Sequence, residues 1–296
     1  MTEFTVMRDD RTFVDEYGVT IHYYVWTAPK PIGIVQIAHG VGEYAARYEA
    51  LAQALAVEGF TVYADDHRGH GQTGLEQHDG DHTKLGRLGP GGTAAATDAV
   101  HHLSRLARAD HPELPLVILG HSWGSLLVQR ILDSRAADYD AVVLSGTALR
   151  TLRHMNGGDL SKRHRPADGG NGAEWLSRDP QVAEDFIADP LTFDAKVSQL
   201  FGVVEAAKLL GTPRKLAKNL PMLIQIGEED TLGGARSVEL LAAAYRKAGG
   251  LTDVTVDVYP GARHEVYNET NRVEVIANLI VWLKHHVGPA ADARPE

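Results

Sequence analysis

Apolar and polar positions follow a regular strand–helix order along most of this 296-residue chain. Short, largely apolar runs, typical of strands that are buried on both faces, lie at 32–38, 60–64, 116–119 and 141–144. Between these runs, apolar residues recur at helical spacing over 44–58, 93–109 and 126–133. This order predicts an α/β protein with a mostly parallel β-sheet, preceded by a β-hairpin over 12–27.

The alternation is interrupted between residues 147 and 212. Past this interval it resumes, with strands and helices predicted at 221–226, 235–248, 254–259 and 273–286. We therefore predict one α/β core built from two parts, 1–146 and 213–288, with residues 147–212 inserted between them. Residues 289–296, rich in Pro and Ala, are predicted to form a disordered tail.

The insertion at 147–212 has two dissimilar halves. Residues 150–172 are rich in Arg, His, Gly and Asp and predict a long polar loop. Residues 194–210 predict a single helix, and its apolar stripe consists of Val197, Leu200, Phe201 and Val204. We expect these four residues to contact substrate. The same stripe equally suits packing within the insertion, or transient docking on a membrane or micelle surface.

The composition argues against several classes of function. A net charge of −10, from 39 acidic and 29 basic residues, argues against nucleic acid as a partner and against strong attraction to anionic membranes. The chain has no cysteine, which rules out disulfides and thiolate metal sites and fits a reducing cytoplasm. Residues 1–13 lack a signal-peptide pattern, and no apolar stretch approaches the length of a membrane span. We expect a cytoplasmic protein; the sequence does not indicate its oligomeric state.

A candidate nucleophile stands where the apolar run 116–119 meets the next helical pattern. The sequence there is Gly120-His121-Ser122-Trp123-Gly124. The pentapeptide alone is a weak signal in a chain with 30 glycines, but between a strand and a helix it predicts a nucleophile elbow. In such an elbow, small flanking residues permit a tight turn that exposes the serine hydroxyl at the start of a helix. The simpler alternative is a glycine-flanked turn with a serine N-cap.

A serine hydroxyl is a weak nucleophile at neutral pH and requires a base that is oriented by an acid. In enzymes with a nucleophile elbow, the acid and then the histidine follow the serine along the chain. After the strand predicted at 221–226, we predict that Asp230 is the acid, with Glu228 and Glu229 as local competitors. After the next strand, His264 is predicted to be the base. Both positions lie past the carboxyl ends of strands, where ligands bind in open α/β sheets.

Negative charge that develops on a carbonyl oxygen requires N–H donors. One donor is predicted to be the backbone N–H of Trp123, the residue after the nucleophile. The other is predicted to be the N–H of Val41, in the loop 39–43 that follows the first buried strand. Gly40 and Glu43 of this loop are expected to contact substrate. The alternative for the loop is a tight turn without a catalytic role.

Together these residues predict a serine hydrolase for carboxylic esters, which requires neither a cofactor nor a metal ion. Histidines and acids at 65–71 and 78–82 are not spaced like metal ligands, and we interpret 65–71 as a structural loop. Two alternatives stay open. The same triad can hydrolyse small esters or thioesters or transfer an acyl group, and the same fold can serve as a non-catalytic ligand receptor.

Several motifs resemble the monoacylglycerol lipase and lysophospholipase group of α/β-hydrolases. The resemblance extends from about Gly18 to His286 and is carried by the elbow and by the segments 39–43, 47–48, 66–71, 175–180, 188–191 and 259–265.

The resemblance implies an α/β-hydrolase fold with an eight-stranded sheet, in which the insertion forms a helical lid. It implies a triad of Ser122, Asp230 and His264, with oxyanion donors at Val41 and Trp123. It further implies small-molecule esters with a lipid-like acyl chain, such as monoacylglycerols or lysophospholipids, bound under the lid.

The sequence departs from this group at several positions. Trp123 stands where methionine is common, Ser125 replaces a frequent glycine, and Thr73 replaces a frequent serine. The first half of the insertion, 150–172, is polar rather than apolar. These departures leave the predicted chemistry intact, and they leave the acyl length and the alcohol part of the substrate open.

Overall fold

The β-sheet expected from the apolar runs is present in the computed structural model, which describes residues 6–195 and 197–288. Its strands are β1 (Arg8–Val14), β2 (Thr20–Trp26), β3 (Gly33–Ala38), β4 (Phe60–Asp65), β5 (Leu116–His121), β6 (Ala141–Ser145), β7 (Met222–Gly227) and β8 (Val254–Tyr259). Their order across the sheet is β1-β2-β4-β3-β5-β6-β7-β8. The pairs β1–β2 and β2–β4 are antiparallel, and the other neighbouring pairs are parallel. The predicted α/β fold with an eight-stranded, mostly parallel sheet is confirmed.

Helices cover both faces of the sheet. The described α-helices are α1 (Glu49–Val57), α2 (Gly71–Gln77), α3 (Gly92–Asp110), α4 (Trp123–Arg135), α5 (Pro180–Ala188), α6 (Val197–Leu200), α7 (Val203–Ala207), α8 (Gly234–Ala244) and α9 (Arg272–Val287). Apolar residues of α3, α4 and α8 pack on one face, and those of α1 and α9 pack on the other. Every residue of β3 through β7 is buried, because alternate side chains of a strand point to opposite faces and both faces are covered.

The parallel strands end at one edge of the sheet, and the candidate residues follow them there. The loop 39–43 comes after β3, Ser122 after β5, Asp230 after β7 and His264 after β8. Because β3, β5, β6, β7 and β8 are successive neighbours, these positions are brought to the same edge from distant parts of the chain.

The prediction of a single helix over 194–210 is wrong. In the described part of this stretch, the chain forms two short helices, α6 and α7, which are separated at Gly202. The φ angle of Gly202 is 82°, a value that the interior of a right-handed helix does not contain. The stripe is therefore broken, and Val204 is 73% exposed.

Helix α5 was not predicted, although the sequence carried a signal for its start. The Asp179 side chain accepts the Gln181 N–H at the N-cap, and Pro180 occupies the first turn. The domain limits at 147 and 212 stay a prediction, and the tail predicted at 289–296 lies outside the described residues. Within the described residues, no helix combines the length and the apolar character that crossing a bilayer requires.

Candidate active site

The turn between β5 and α4 holds Ser122 in a strained backbone conformation. Its φ and ψ angles are 51° and −123°, and residues with a side chain rarely adopt a positive φ. The Ser122 N–H donates to the Ser145 carbonyl at 3.0 Å, which ties the turn to the neighbouring strand β6. The Ser125 hydroxyl donates to the Ser122 carbonyl at 2.5 Å. This geometry fits the predicted nucleophile elbow.

Close packing explains the two glycines of the elbow. A Cβ atom on Gly124 would lie 2.2 Å from the Ala38 carbonyl oxygen, and one on Gly120 would lie 2.7 Å from the Ser125 Cα. Real Cβ atoms do not approach backbone atoms so closely. Any larger residue at these two positions would therefore displace the elbow from β3 or from α4.

His264 and Asp230 form a buried pair at the cavity that Ser122 lines. The His264 Nδ1 lies 3.0 Å from Asp230 Oδ2, and the two side chains are 2% and 0% exposed. The other Asp230 oxygen accepts the Leu232 N–H at 2.7 Å. Among the described residues, the buried His264 Nε2 has no hydrogen-bond partner. His264 and Ser122 line the same cavity, so this nitrogen is the atom suited to accept the serine proton.

Burial and charge act in opposite directions on His264. Burial lowers its pKa, whereas the charge and hydrogen bond of Asp230 raise it, with further contributions from Glu265 and Glu43, and the pKa is raised above the ordinary 6.5. The surroundings therefore stabilise the imidazolium form, which is the form that His264 takes after it accepts a proton.

The competing acids are engaged elsewhere. Glu228 accepts a backbone N–H of the loop after β8 at 3.0 Å, and Glu229 lies 3.8 Å from Arg163. Of these three neighbouring acids, all within the described residues, Asp230 is the one hydrogen-bonded to His264. The geometry therefore supports the predicted choice of acid.

The loop after β3 lies directly against Ser122. A Cβ atom on Gly40 would lie 3.0 Å from the Ser122 Cβ, so glycine permits this close approach. In the part of the chain that the structure describes, no acceptor is hydrogen-bonded to the Val41 N–H. Gly40, Val41 and Trp123 all line the cavity. The assignment of Val41 and Trp123 as oxyanion donors stays a prediction that this placement supports.

Glu43 lines the cavity, yet its carboxylate is bound to protein groups. Its Oε1 accepts the Gly40 N–H at 2.6 Å and the Tyr48 hydroxyl at 2.8 Å, and its Oε2 lies 2.9 Å from the Arg47 guanidinium. Arg47 also binds both oxygens of Glu265, at 2.6 and 2.9 Å. We therefore reinterpret Glu43, which we had expected to contact substrate, as a support for the loop.

The arginine and its two carboxylates form a buried ionic cluster, Glu43–Arg47–Glu265, next to His264. Burial raises the pKa of Glu265, but the charge of Arg47 outweighs it and lowers that pKa to about 2. Burial raises the pKa of Glu43. With both carboxylates ionised the cluster carries one net negative charge, and it joins the loop after β3 to the loop after β8.

The loop 65–71 supports the predicted oxyanion loop, residues 39–43, through hydrogen bonds. The His39 Nε2 accepts the His67 N–H at 2.9 Å, and burial lowers the pKa of His39, which keeps this imidazole neutral. Asp66 accepts the Ala45 N–H at 2.9 Å, and burial raises its pKa to about 6. These contacts fit the structural interpretation of the loop. The described residues contain no group of three or more His, Cys, Asp or Glu side chains arranged to hold a metal ion.

A cavity of about 200 Å³ lies between Ser122 and the insertion. Part of its wall is polar and comes from 156–161 and Arg165. Another part is apolar and includes Trp123, Leu126, Phe186, Phe193 and Val197. The volume is smaller than the roughly 300–1,000 Å³ that is usual for pockets of drug-sized ligands. Because one part of the wall is apolar and another is polar, the site can distinguish an apolar from a polar part of a small substrate.

The predicted stripe residues have different surroundings. Val197 lines the cavity. Phe201 packs on Trp123 instead, with ring centroids 5.2 Å apart, and Leu200 packs against Gly86 so closely that an added Cβ there would lie 2.6 Å from it. Val204 faces solvent, as described above. Leu200, Phe201 and Val204 therefore act on the cavity indirectly or not at all.

Sequence reasoning missed the ion pair between Arg47 and Glu265 and the cavity residues Leu126, Phe193 and Trp175. Arg47, Trp175 and Glu265 do lie in motifs that carry the resemblance, which was a signal that they matter. The pairing itself joins residues 218 positions apart and follows from no local pattern.

Residues 29–271 match the family model described as serine aminopeptidase, S33. The chain belongs to this family. Monoacylglycerol lipase of Mycolicibacterium smegmatis is 33% identical to this S33 member over 293 residues, covering 95% of this chain and 98% of that protein. Human monoglyceride lipase is 26% identical over 280 residues, covering 90% and 86%.

A solved structure agrees with the α/β fold described above. A thermostable carboxyl esterase from Bacillus coagulans, solved in complex with glycerol, matches with a TM-score of 0.81 and 25% identity, covering 96% of this chain and 100% of that one. The predicted resemblance to monoacylglycerol-lipase-like α/β-hydrolases is confirmed, and with it the prediction of a carboxylic ester hydrolase.

Proposed function

We propose that this S33 family member hydrolyses carboxylic esters with lipid-like acyl chains, of the monoacylglycerol or lysophospholipid type, through an acyl-serine intermediate. The observation that carries the proposal is the strained Ser122 at a cavity shared with the buried His264–Asp230 pair. The lipid-like substrate is supported by the relatives named monoacylglycerol lipase and by the apolar wall of the cavity.

The proposed reaction proceeds in two halves. In the first, Ser122 Oγ attacks the ester carbonyl while His264 Nε2 accepts its proton, and the N–H groups of Val41 and Trp123 stabilise the tetrahedral oxyanion. His264 then protonates the leaving alkoxide, and the alcohol departs from the acyl-serine. In the second half, His264 takes a proton from water as the water oxygen attacks the acyl carbon. The tetrahedral intermediate then expels Ser122 Oγ, His264 returns the proton to this oxygen, and the acid is released. Asp230 orients the imidazole throughout and stabilises its protonated form.

The two walls of the cavity suggest an orientation for the substrate. The apolar wall with Trp123 and Phe193 suits the acyl chain, and the polar wall at 156–161 suits a hydroxyl-bearing alcohol such as glycerol. The insertion also exposes apolar side chains, among them Leu152 at 86%, which suit transient contact with a lipid surface. The predicted cytoplasmic location stays a prediction, and the chemistry as drawn uses no cofactor or metal ion.

The experiment that tests this proposal measures p-nitrophenyl ester hydrolysis over acyl lengths from acetate to palmitate, with 1-monoacylglycerols as physiological counterparts and Ser122→Ala as the blank. We expect the highest kcat/KM at medium or long chains and no turnover above background for the variant. Activity confined to acetate and butyrate would keep the triad and reassign the enzyme to small esters.

Further outcomes separate the alternatives. Faster turnover of acyl thioesters, or acyl transfer to an added alcohol, would identify a thioesterase or an acyltransferase built on the same triad. Release of p-nitroaniline from aminoacyl anilides, with esters untouched, would favour the peptidase chemistry in the family description. Binding of esters without turnover would favour a receptor.

A further inference from the structure

One aromatic side chain of the insertion contacts the catalytic imidazole. The ring centroid of Trp175 lies 4.7 Å from that of His264, at an interplanar angle of 36°. Trp175 is half-buried and lines the cavity. A second ring, that of His121 at the end of β5, lies 4.8 Å from His264 at an angle of 56°. The imidazole is thus contacted by one ring of the core and by one of the insertion.

Hydrogen bonds fix Trp175 to the loop that carries His264, residues 260–265, which we call the histidine loop. The Trp175 carbonyl accepts the His264 N–H at 3.4 Å, and the Leu176 carbonyl accepts the Glu265 N–H at 2.8 Å. The Arg263 guanidinium donates to two further carbonyls of the same stretch, at 2.5 and 3.0 Å. The backbone of Trp175 is therefore bound to the histidine loop along several residues, which keeps the indole against the imidazole.

We propose that Trp175 is a positioning residue for His264, and that its aromatic face stabilises the imidazolium formed when His264 takes the Ser122 proton. The face of an indole attracts a cation within about 6 Å of the ring centroid. This attraction arises only after proton transfer, so it lowers the barrier rather than the energy of the bound substrate. The inference rests on the proposed function, since it requires His264 to act as a base.

Other groups around the imidazole also affect its charge. They are Asp230 after β7, Glu265 on the histidine loop itself, Glu43 after β3 and His121 at the end of β5. The three carboxylates raise the pKa of His264, whereas burial lowers the pKa of His121 and keeps this neighbour neutral. All four remain in the variants tested below, so a change in the pH profile reports on the indole.

The test compares Trp175→Leu, which keeps apolar cover without an aromatic face, with Trp175→Phe, which keeps the face. The substrate is p-nitrophenyl acetate, whose short acyl group depends least on the cavity wall. For Trp175→Leu we expect kcat to fall about tenfold, with KM changed by less than about twofold. The acidic limb of kcat/KM against pH should move to lower pH by about 0.5 to 1, because the protonated imidazole loses its partner. Trp175→Phe should restore both quantities to within about threefold of wild type.

A matched control is available on the far face of the sheet. The ring centroids of Trp282 and His286, both on α9, lie 4.2 Å apart. This similar pair of rings is remote from Ser122. Trp282→Leu should therefore leave kcat and the pH profile unchanged. A fall in activity for this control equal to that of Trp175→Leu would assign both losses to general destabilisation and overturn the proposal.

If Trp175→Leu does not fold, Trp175→Met replaces it. A second measurement then reports the pKa of His264. Reaction with an organophosphonate holds His264 as an imidazolium, and its Nδ1 proton gives a downfield NMR resonance whose titration reports the pKa in the adduct. A lower pKa in the leucine or methionine variant than in wild type and Trp175→Phe supports the proposal; equal values overturn it. The proposed function fails separately, if wild-type protein neither turns over esters nor reacts at Ser122.

Discussion

The core and the insertion contribute to the site in different ways. In the core, the residues predicted to be the nucleophile, the acid and the base follow strands of the sheet, which fixes their positions. In the insertion, α6 and α7 have only four and five residues, and the polar wall at 156–161 comes from a loop in which residues 156–159 are exposed. The comparison teaches that the predicted triad lies in the region with the strongest packing constraints. Much of the cavity wall that would contact a substrate comes from the region where packing constrains the sequence least.

The two regions are joined by hydrogen bonds. The Phe193 N–H donates to the Gly42 carbonyl at 3.0 Å, which joins the insertion to the oxyanion loop. The Glu205 carboxylate accepts the Thr93 N–H at 2.8 Å, in the first turn of α3. Trp175 contacts the base, as described above. A change in the insertion can therefore reach the catalytic groups through these contacts, and the following predictions test how far it does.

The largest effect is expected from a change to the acid in the core. Asp230→Asn keeps the shape of the side chain but favours the wrong tautomer of His264, so kcat should fall about 10⁴-fold. Glu229→Gln, the matched change at the neighbouring acid, should leave kcat within about twofold, because Glu229 lies at the surface next to Arg163. Ester kinetics measure both. If the glutamine variant is the crippled one, the acid has been assigned wrongly.

Next in size is a change to the buried ionic cluster. Arg47→Met leaves two carboxylates buried without their cation, which should lower the free energy of unfolding by about 3–5 kcal/mol. Arg135→Met removes an exposed ion pair with Asp98 and should cost no more than about 1 kcal/mol. Urea unfolding measures both. Equal losses for the two variants would show that the cluster does not hold the oxyanion and histidine loops together.

A smaller effect is expected from pH. His264 must be neutral to accept the serine proton, and its pKa is raised above 6.5, so the acidic limb of kcat/KM should lie above pH 6.5. Below the limb, kcat/KM should fall about tenfold per pH unit. Measurement on p-nitrophenyl butyrate from pH 5 to 9 tests this, and a limb below 6.5 would mean that burial outweighs the charge of Asp230.

The smallest effects are expected in the insertion, where two valines provide a matched pair. Val197 lines the cavity and Val204 faces solvent. Val197→Ser should lower kcat/KM for p-nitrophenyl decanoate about fivefold, since part of an apolar contact with the acyl chain is lost. Val204→Ser should change it by less than about twofold. The reverse order would place the acyl chain along α7 instead of the cavity.

Much of the core could be predicted from the sequence because its signals are local. Apolar runs gave the positions of the central strands, and the elbow, Asp230 and His264 each follow such a run directly. Sheet topology then brings these positions together. The acid and the histidine could be predicted from their order along the chain, without knowledge of how the insertion folds.

The insertion could be predicted less well, for physical reasons. The apolar spacing over 194–210 resembles one helix, but Gly202 adopts a conformation that separates two, and spacing alone does not report this. The contact between Trp175 and His264 joins residues from two distant segments, and the same is true of Arg47 and Glu265. Such contacts depend on how the insertion folds back over the sheet edge, which no local pattern encodes.

The central claim, that Ser122 is a nucleophile activated by His264 and Asp230, is tested most directly by covalent labelling. Folded wild-type protein is treated with a fluorophosphonate, and intact mass and peptide mapping locate the adduct. We predict one adduct per chain, on Ser122, with none in Ser122→Ala and far slower labelling in Asp230→Asn. Folded wild-type protein that stays unlabelled, or that is labelled at another residue, would contradict the account.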